Sequence, residues 1–367
     1  MATFNHSRVS SLIVGAIYSC ACSGGAQGEG ERSAEIYAAS SPVELMCAAS
    51  EEQVIDLGSL DPAQPEPSRA YALNEHGTVV GHARLQVAPE LTALHAFRWK
   101  AGTGMVDLGT LGGAYSSAYD VNEAEQVVGT AELPNQDSHA VVWDAEGRIR
   151  DLGTFGGRSS FARGINNRGQ VVGVADDATG TRGFIWDAKS GMVDLGLTDQ
   201  AIPIAINDFG VVVGSWAGRP FKWTKEEGAI LLDPLGGTSG VVYAVNNLEE
   251  AVGYVTLGNE SFGVKWMACG GSRLARLPNG KESLPVAIND RGLMVGTDSP
   301  PRSRLPPPGS KNVAVQWEST KRIAALPLEA TASSASDVSD CGDVVGYRRI
   351  PGHDWRAYLW HPQRQSQ

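Results

Sequence analysis

Six asparagines in this chain, Asn74, Asn122, Asn166, Asn207, Asn246 and Asn289, each stand seven residues before a glycine that follows two small or apolar residues. A seventh copy, "DVSDCGDVVG", carries Ser339 where the asparagine would be, ahead of Gly346. A second marker keeps the same register: Trp99, Trp143, Trp186, Trp223, Trp266, Trp317 and Trp360 each follow one of these glycines. A unit used seven times constrains the fold more than any single motif, because one supersecondary element must serve as every copy.

Each unit parses into four short extended segments, in the second copy residues 117–121, 126–131, 139–143 and 148–152. Alternation such as "HAVVWD" has the period of two expected of half-buried strands. The first two segments are joined by Asn-x-x-Gly, as in "NNRGQ", "NDFGV" and "NDRGL". An asparagine bonding the following backbone, with glycine three places on in a left-handed conformation, makes a tight hairpin. Glu125 and Glu249 replace that glycine in two copies, so those turns are expected to differ slightly or carry strain.

Four strands per unit of roughly 40–45 residues, repeated, is the pattern of a β-propeller. The expected fold is all-β, a single seven-bladed β-propeller with four-stranded blades over residues 53–362. Its first segment, "QVIDLG" at 53–58, is a lone fourth strand, and its last, "RAYLWHP", is a third strand with nothing after it. The N-terminal strand should therefore complete the last blade and close the ring, leaving no bare sheet edge. Residues 363–367 read as a disordered tail.

Residues 1–22 read as an export signal: His6 and Arg8 precede an apolar run too short to span a membrane. Ile17-Tyr18-Ser19-Cys20 resembles a bacterial lipobox, which would make Cys20 the lipidated first residue of the mature chain. Residues 23–52 then form a flexible tether rich in Gly, Ala, Ser and Glu. The expected location is the cell envelope or the extracellular space, with membrane attachment only through Cys20. Nowhere does the sequence offer the ~18 consecutive apolar residues of a spanning helix. With 30 Lys+Arg against 41 Asp+Glu and a net charge of −11, the composition excludes a nucleic-acid binder and suits a soluble monomer.

"HAFRW" (95–99), "GMVDLGTLGG" (104–113), "SSAYDVN" (116–122) and "QVVGT" (126–130) together resemble the HAF repeat of extracellular bacterial proteins. The similarity runs over residues 53–362, although later copies degrade to "GFIW", "RPFKW", "FGVKW", "VAVQW" and "RAYLW". "DLGTLGG" likewise fades to "DPLGG" and "LPLEA". The resemblance implies an exported repeat protein and supplies no activity and no catalytic residues.

The glycine pairs of "GTLGG", "GTFGG" and "PLGG" invite comparison with phosphate loops. Such a loop should open onto a helix and be backed by a lysine, and here it joins strand to strand. Joints between blades are the better reading, and no cofactor is expected. The spacing of histidines and cysteines suggests no metal site: there is no H-x-x-x-H, H-E-x-x-H or C-x-x-C. Cys47 and Cys341 are expected at loops on one face of the last blade, where a disulfide would form in an oxidising compartment. Cys269 has no evident partner.

Propeller sites gather where the central channel opens, on the face bearing the loops into the innermost strands and out of the second ones. The third residue before each Asn is Tyr71, Tyr119, Arg163, Ile204, Tyr243, Val286 or, before Ser339, Ser336. Three tyrosines and an arginine make a polar-aromatic mouth, with Arg69 above Tyr71 and His82 at the exit of a second strand. The loops leaving the second strands vary most, and the Pro-rich one at 298–312 has the length to reach across. The candidate ligand-binding residues are therefore Arg69, Tyr71, His82, Tyr119, Arg163 and Tyr243. They suit a binding or scaffold module for a small molecule, glycan or protein. The alternatives are an enzyme of lyase, hydrolase or cyclase type at the channel mouth, using Arg163, Tyr119 and His82, and a purely structural envelope protein.

Overall fold

The structure, a computed structural model, describes Cys47 and residues 51–61, 67–88, 91–197, 200–268, 270–278, 280, 282–299 and 312–364. The export signal with Cys20, the tether apart from Cys47, Glu51 and Glu52, Cys269, and most of the Pro-rich loop lie outside the described residues.

Seven antiparallel sheets of four strands each surround a common axis, making a seven-bladed β-propeller. Blades 1 to 7 occupy residues 68–107, 116–151, 160–194, 201–231, 239–273, 282–325 and 332–361. Each innermost strand lies against the innermost strands of both flanking blades, and the first lies against the seventh. Gln53–Asp56 pairs antiparallel with Trp355–His361 and supplies the fourth strand of blade 7. The ring is thus closed by the N-terminal strand. Cys47 and Cys341, 294 residues apart, are joined by a disulfide on the same blade. Glu52 Oε1 also accepts a hydrogen bond from Trp360 Nε1 (3.3 Å), so the last part of the expected tether is tied down. At the other end, Arg364 forms an ion pair with Asp343, so the fixed structure continues beyond residue 362.

The core lies between blades rather than within them. Ala72, Val80 and Ala96 of blade 1 pack with Ala118, Val127, Val141 and Trp143 of blade 2, and equivalent clusters fill the other junctions. The register tryptophans knit these junctions as well as fill them. Trp143, Trp266 and Trp317 donate through Nε1 to carbonyls at the outer edge of the preceding blade, Leu108, Asp233 and Ala275, each at 2.8 Å.

The repeated asparagine has two tasks. Asn74 Oδ1 accepts the amides of His76 (3.1 Å) and Thr78 (2.9 Å), which fixes the hairpin. Its Nδ2 donates to the carbonyl of Asn122 in the next blade (3.0 Å). The same link runs from Asn122 to Asn166, Asn207, Asn246, Asn289 and Ser339. One residue further on, a second ring closes completely. The amide of Glu75 donates to the Glu123 side chain, and the pattern passes through Asn167, Asp208, Asn247, Asp290 and Asp340 back to Glu75. The serine of blade 7 therefore breaks the first ring but not the second.

Glu125 and Glu249 adopt the left-handed conformation of the glycines they replace, both with φ of 58°. The turn itself is unchanged: each amide still bonds the asparagine carbonyl, at 3.0 and 3.1 Å. What differs is strain, which an L-residue incurs there. Each glutamate is ion-paired to a lysine from the blade before, Glu125 with Lys100 and Glu249 with Lys222.

Candidate functional site

Every innermost strand carries a β-bulge at the same place. The register slips between residues 70 and 72, 118 and 120, 162 and 164, 203 and 205, 242 and 244, 285 and 287, and 335 and 337. The bulged residues are Tyr71, Tyr119, Arg163, Ile204, Tyr243, Val286 and Ser336. A bulge leaves one residue out of the ladder and re-aims its side chain. It also explains the invariably placed glycine. A methyl group on Gly81 would overlap the carbonyl oxygen of Arg69, and the same overlap meets Gly129, Gly173, Gly214, Gly253, Gly296 and Gly346.

Around the bulged residues Tyr71 and Tyr119, side chains of blades 7, 1 and 2 assemble into one wall. Tyr71 meets His82 edge-on, with ring centroids 5.2 Å apart, and meets Tyr119 of blade 2 at 5.8 Å. His82 Nδ1 is hydrogen-bonded to Ser117 Oγ of blade 2 (3.1 Å). On the other side, the Arg69 guanidinium lies 4.9 Å from the Tyr347 ring centre and 5.8 Å from that of Trp355, both in blade 7. Those two rings are themselves in contact at 5.3 Å. Tyr115, in the joint leading into blade 2, lies beside Tyr119. Ser117 is buried, and the other seven side chains are half-buried, so they pack between blades and still present surface.

The electrostatics follow from that packing. Burial pushes the Tyr71 phenol up to about 12, against the pull of the Arg69 charge. Burial, aided by Arg69, brings His82 down to about 4, so its imidazole is neutral near pH 7. Tyr115 is raised by burial and by neighbouring Tyr119. The wall is therefore a set of neutral rings around one cation, and no carboxylate forms an ion pair with Arg69 among the described residues.

Of the six candidate residues, Arg69, Tyr71, His82 and Tyr119 come together. Arg163 is exposed in blade 3, without a hydrogen-bond or ion-pair partner among the described residues. Tyr243 in blade 5 pairs instead with Tyr254 at 5.8 Å. Sequence reasoning missed Tyr347, Trp355 and Tyr115. Tyr347 was findable, because it follows the blade glycine as His82 does. Trp355 stands outside the register of the seven repeat tryptophans and gave no such signal.

Other polar features are architectural. His95 Nδ1 bonds Asp107 (2.8 Å) and His139 Nδ1 bonds Asp151 (2.9 Å), tying third strand to fourth within a blade. In "GTLGG" the Gly113 amide donates to the Glu132 carbonyl (2.9 Å) and the Gly112 amide to Thr110 Oγ1 (3.1 Å). Those glycines are the joint between blades, with their amides already used. No group of three or more His, Cys, Asp or Glu among the described residues is placed to hold a metal ion.

Neither a protein-family model nor a curated protein matches the chain. Among solved structures it is similar to the β-propeller domain of the Trilobed protease from Pyrococcus furiosus. That likeness has 10% identity and a TM-score of 0.52, over 85% of this chain and 94% of that one. That domain is described as having an open velcro topology, whereas here the N-terminal strand closes blade 7. A gluconolactonase from Xanthomonas campestris is 10% identical over 87% of this chain and 92% of its own, with a TM-score of 0.41. TolB from Acinetobacter baumannii is 12% identical with a TM-score of 0.39, over 61% of this chain and 59% of TolB. At such identities the likeness extends to the fold alone.

Proposed function

We propose that this propeller is an exported binding module that holds a glycan or a similar small ring-bearing ligand on the wall formed by blades 7, 1 and 2. The observation that carries this reading is the convergence of Tyr71, Tyr119, Tyr347, Trp355 and His82 around Arg69 from three blades. Aromatic side chains offer large contact area at small entropic cost, and a few polar groups among them fix orientation. Arg69 uses its face for the rings and one part of its edge for the Tyr71 phenol, and its remaining donors would hydrogen-bond a ligand. Export is supported by the disulfide, which suits an oxidising compartment, and by the resemblance of the repeat to the HAF repeat. Lipidation at Cys20 would keep the module on the envelope.

An enzyme needs an acid–base pair at the reacting atoms. Of the carboxyls with raised affinity for protons, Glu75 accepts the Asp340 amide in the ring of hairpins, and Asp120 and Asp337 on the innermost strands likewise accept backbone amides. Asp120 takes those of Val121 and Ile165, and Asp337 those of Leu73 and Val338. That commitment favours binding over catalysis.

The test is capture of small molecules and oligosaccharides on the purified protein, read by untargeted mass spectrometry. A compound retained by the wild type and by Arg163→Ala, and lost with Arg69→Ala and Tyr119→Ala, is the expected result. Retention by all four proteins, or by none, counts against the wall as the site.

A further inference from the structure

We propose that Arg348 and Arg356 of blade 7 form a second site, one that binds an oxyanion group (carboxylate, phosphoryl or sulfo) in the cleft facing blade 6. The two residues stand directly opposite each other on neighbouring strands, so their side chains share one face of the blade. Tyr358 lies on that face too, packed with Val295 and Ala314 of blade 6. Arg348 is held in place by a hydrogen bond from Nη1 to the Leu328 carbonyl in the joint between blades 6 and 7 (2.7 Å).

Two features of this pair lack a structural reason. Arg348 Nε and Arg356 Nη1 are buried without a hydrogen-bond partner. Neither guanidinium forms an ion pair among the described residues, although the chain carries 41 acidic residues and a net charge of −11. Five other arginines do find carboxylates: Arg148, Arg158, Arg182, Arg276 and Arg322. Like charges directly opposite in a sheet repel, and a buried donor left unpaired is costly. The neighbours cannot supply the missing charge. Ser333, opposite Arg348, already accepts the Ala314 amide (2.9 Å), and Thr297 and Ser334 bond each other (2.7 Å). Burial raises the Tyr358 phenol well above its usual range, so it is not an anion either.

A single oxyanion between the two forks removes both defects, because guanidinium and oxyanion match as paired donors and acceptors. Access is available, since both arginines are half-buried rather than sealed. This site lies on the face of blade 7 opposite Tyr347 and Trp355, and it does not depend on the binding reading of the aromatic wall.

The experiment measures the thermal midpoint and titration calorimetry of the full chain with inorganic phosphate, sulfate or glucuronate, against chloride at equal ionic strength. A saturable rise with at least one of the three is expected in the wild type, and which one responds identifies the group. Arg356→Gln should weaken that response at least tenfold while leaving the midpoint in chloride equal or higher, because one of two repelling charges is gone. Arg349→Gln, altering an exposed neighbour, should keep the response. No saturable rise with any of the three anions would overturn the proposal. So would an undiminished response in Arg356→Gln, a lowered chloride midpoint for that variant, or an equal loss in Arg349→Gln.

Discussion

A single methyl group tests the link between the repeat glycine and the bulge. In Gly129→Ala the added carbon meets the Ser117 carbonyl, which is backbone and cannot move without undoing the bulge. The expected cost is about 3 kcal/mol by urea unfolding, at the upper end for overpacking. A loss below about 1 kcal/mol would mean that the bulge gives way easily. Glu249→Gly should act in the opposite direction. It relieves a left-handed L-residue at the loss of one exposed ion pair with Lys222, so it should be neutral or stabilising by about 1 kcal/mol. The glycine was legible in the sequence as a spacing, but the bulge behind it was not. Register slips have no fixed residue signature, and the bulged position showed only as the place where the copies differ.

The innermost strands and the hairpin turn after the first of them carry a titration that sets how stability depends on pH. Burial, with neighbouring acids adding to it, raises Glu75 to about 7 and Asp337 to about 8, and burial alone raises Asp120 to about 7. Asp120 and Asp337 are half-buried by surface area, yet the surrounding strands leave them poorly solvated. In the unfolded chain these carboxyls ionise near pH 4. Between about pH 4 and 8 the unfolded state therefore loses protons that the folded state keeps, and stability falls as pH rises. His82 works the other way: its contribution is complete above about 6.5 and is lost as pH falls towards about 4. From pH 8 down to 6.5 the carboxyls act alone, so the thermal midpoint should rise, and Asp337→Asn should flatten that rise. A flat or falling midpoint in the wild type over that interval would contradict this account. Six Asn-to-carbonyl links join the same strands, and the sequence showed these asparagines only as hairpin residues. Their reach into the next blade depends on how neighbouring sheets are placed, which no local pattern encodes.

At the scale of the whole molecule, ring closure was readable because the strand order begins on a fourth strand and ends on a third. Removing residues 53–60 should leave blade 7 with a bare edge and abolish a single cooperative unfolding transition. Reducing the Cys47–Cys341 disulfide, which spans 294 residues, should cost about 4 kcal/mol while the cooperative transition survives. The candidate site was half legible. Repeat position found Tyr71, Tyr119, His82 and Arg69, but it gave Arg163 and Tyr243 equal standing, since position around a ring carries no information about which blades cooperate. Only the placement of Tyr347 and Trp355 beside Arg69 singles out blades 7, 1 and 2. The most direct test is an alanine scan of the seven bulge residues, measuring the affinity of the captured ligand for each variant. The account predicts a loss of tenfold or more, about 1.4 kcal/mol, for Tyr71→Ala and Tyr119→Ala and little change at the other five. An equal loss all around the ring, or the largest loss at Arg163 or Tyr243, would contradict it.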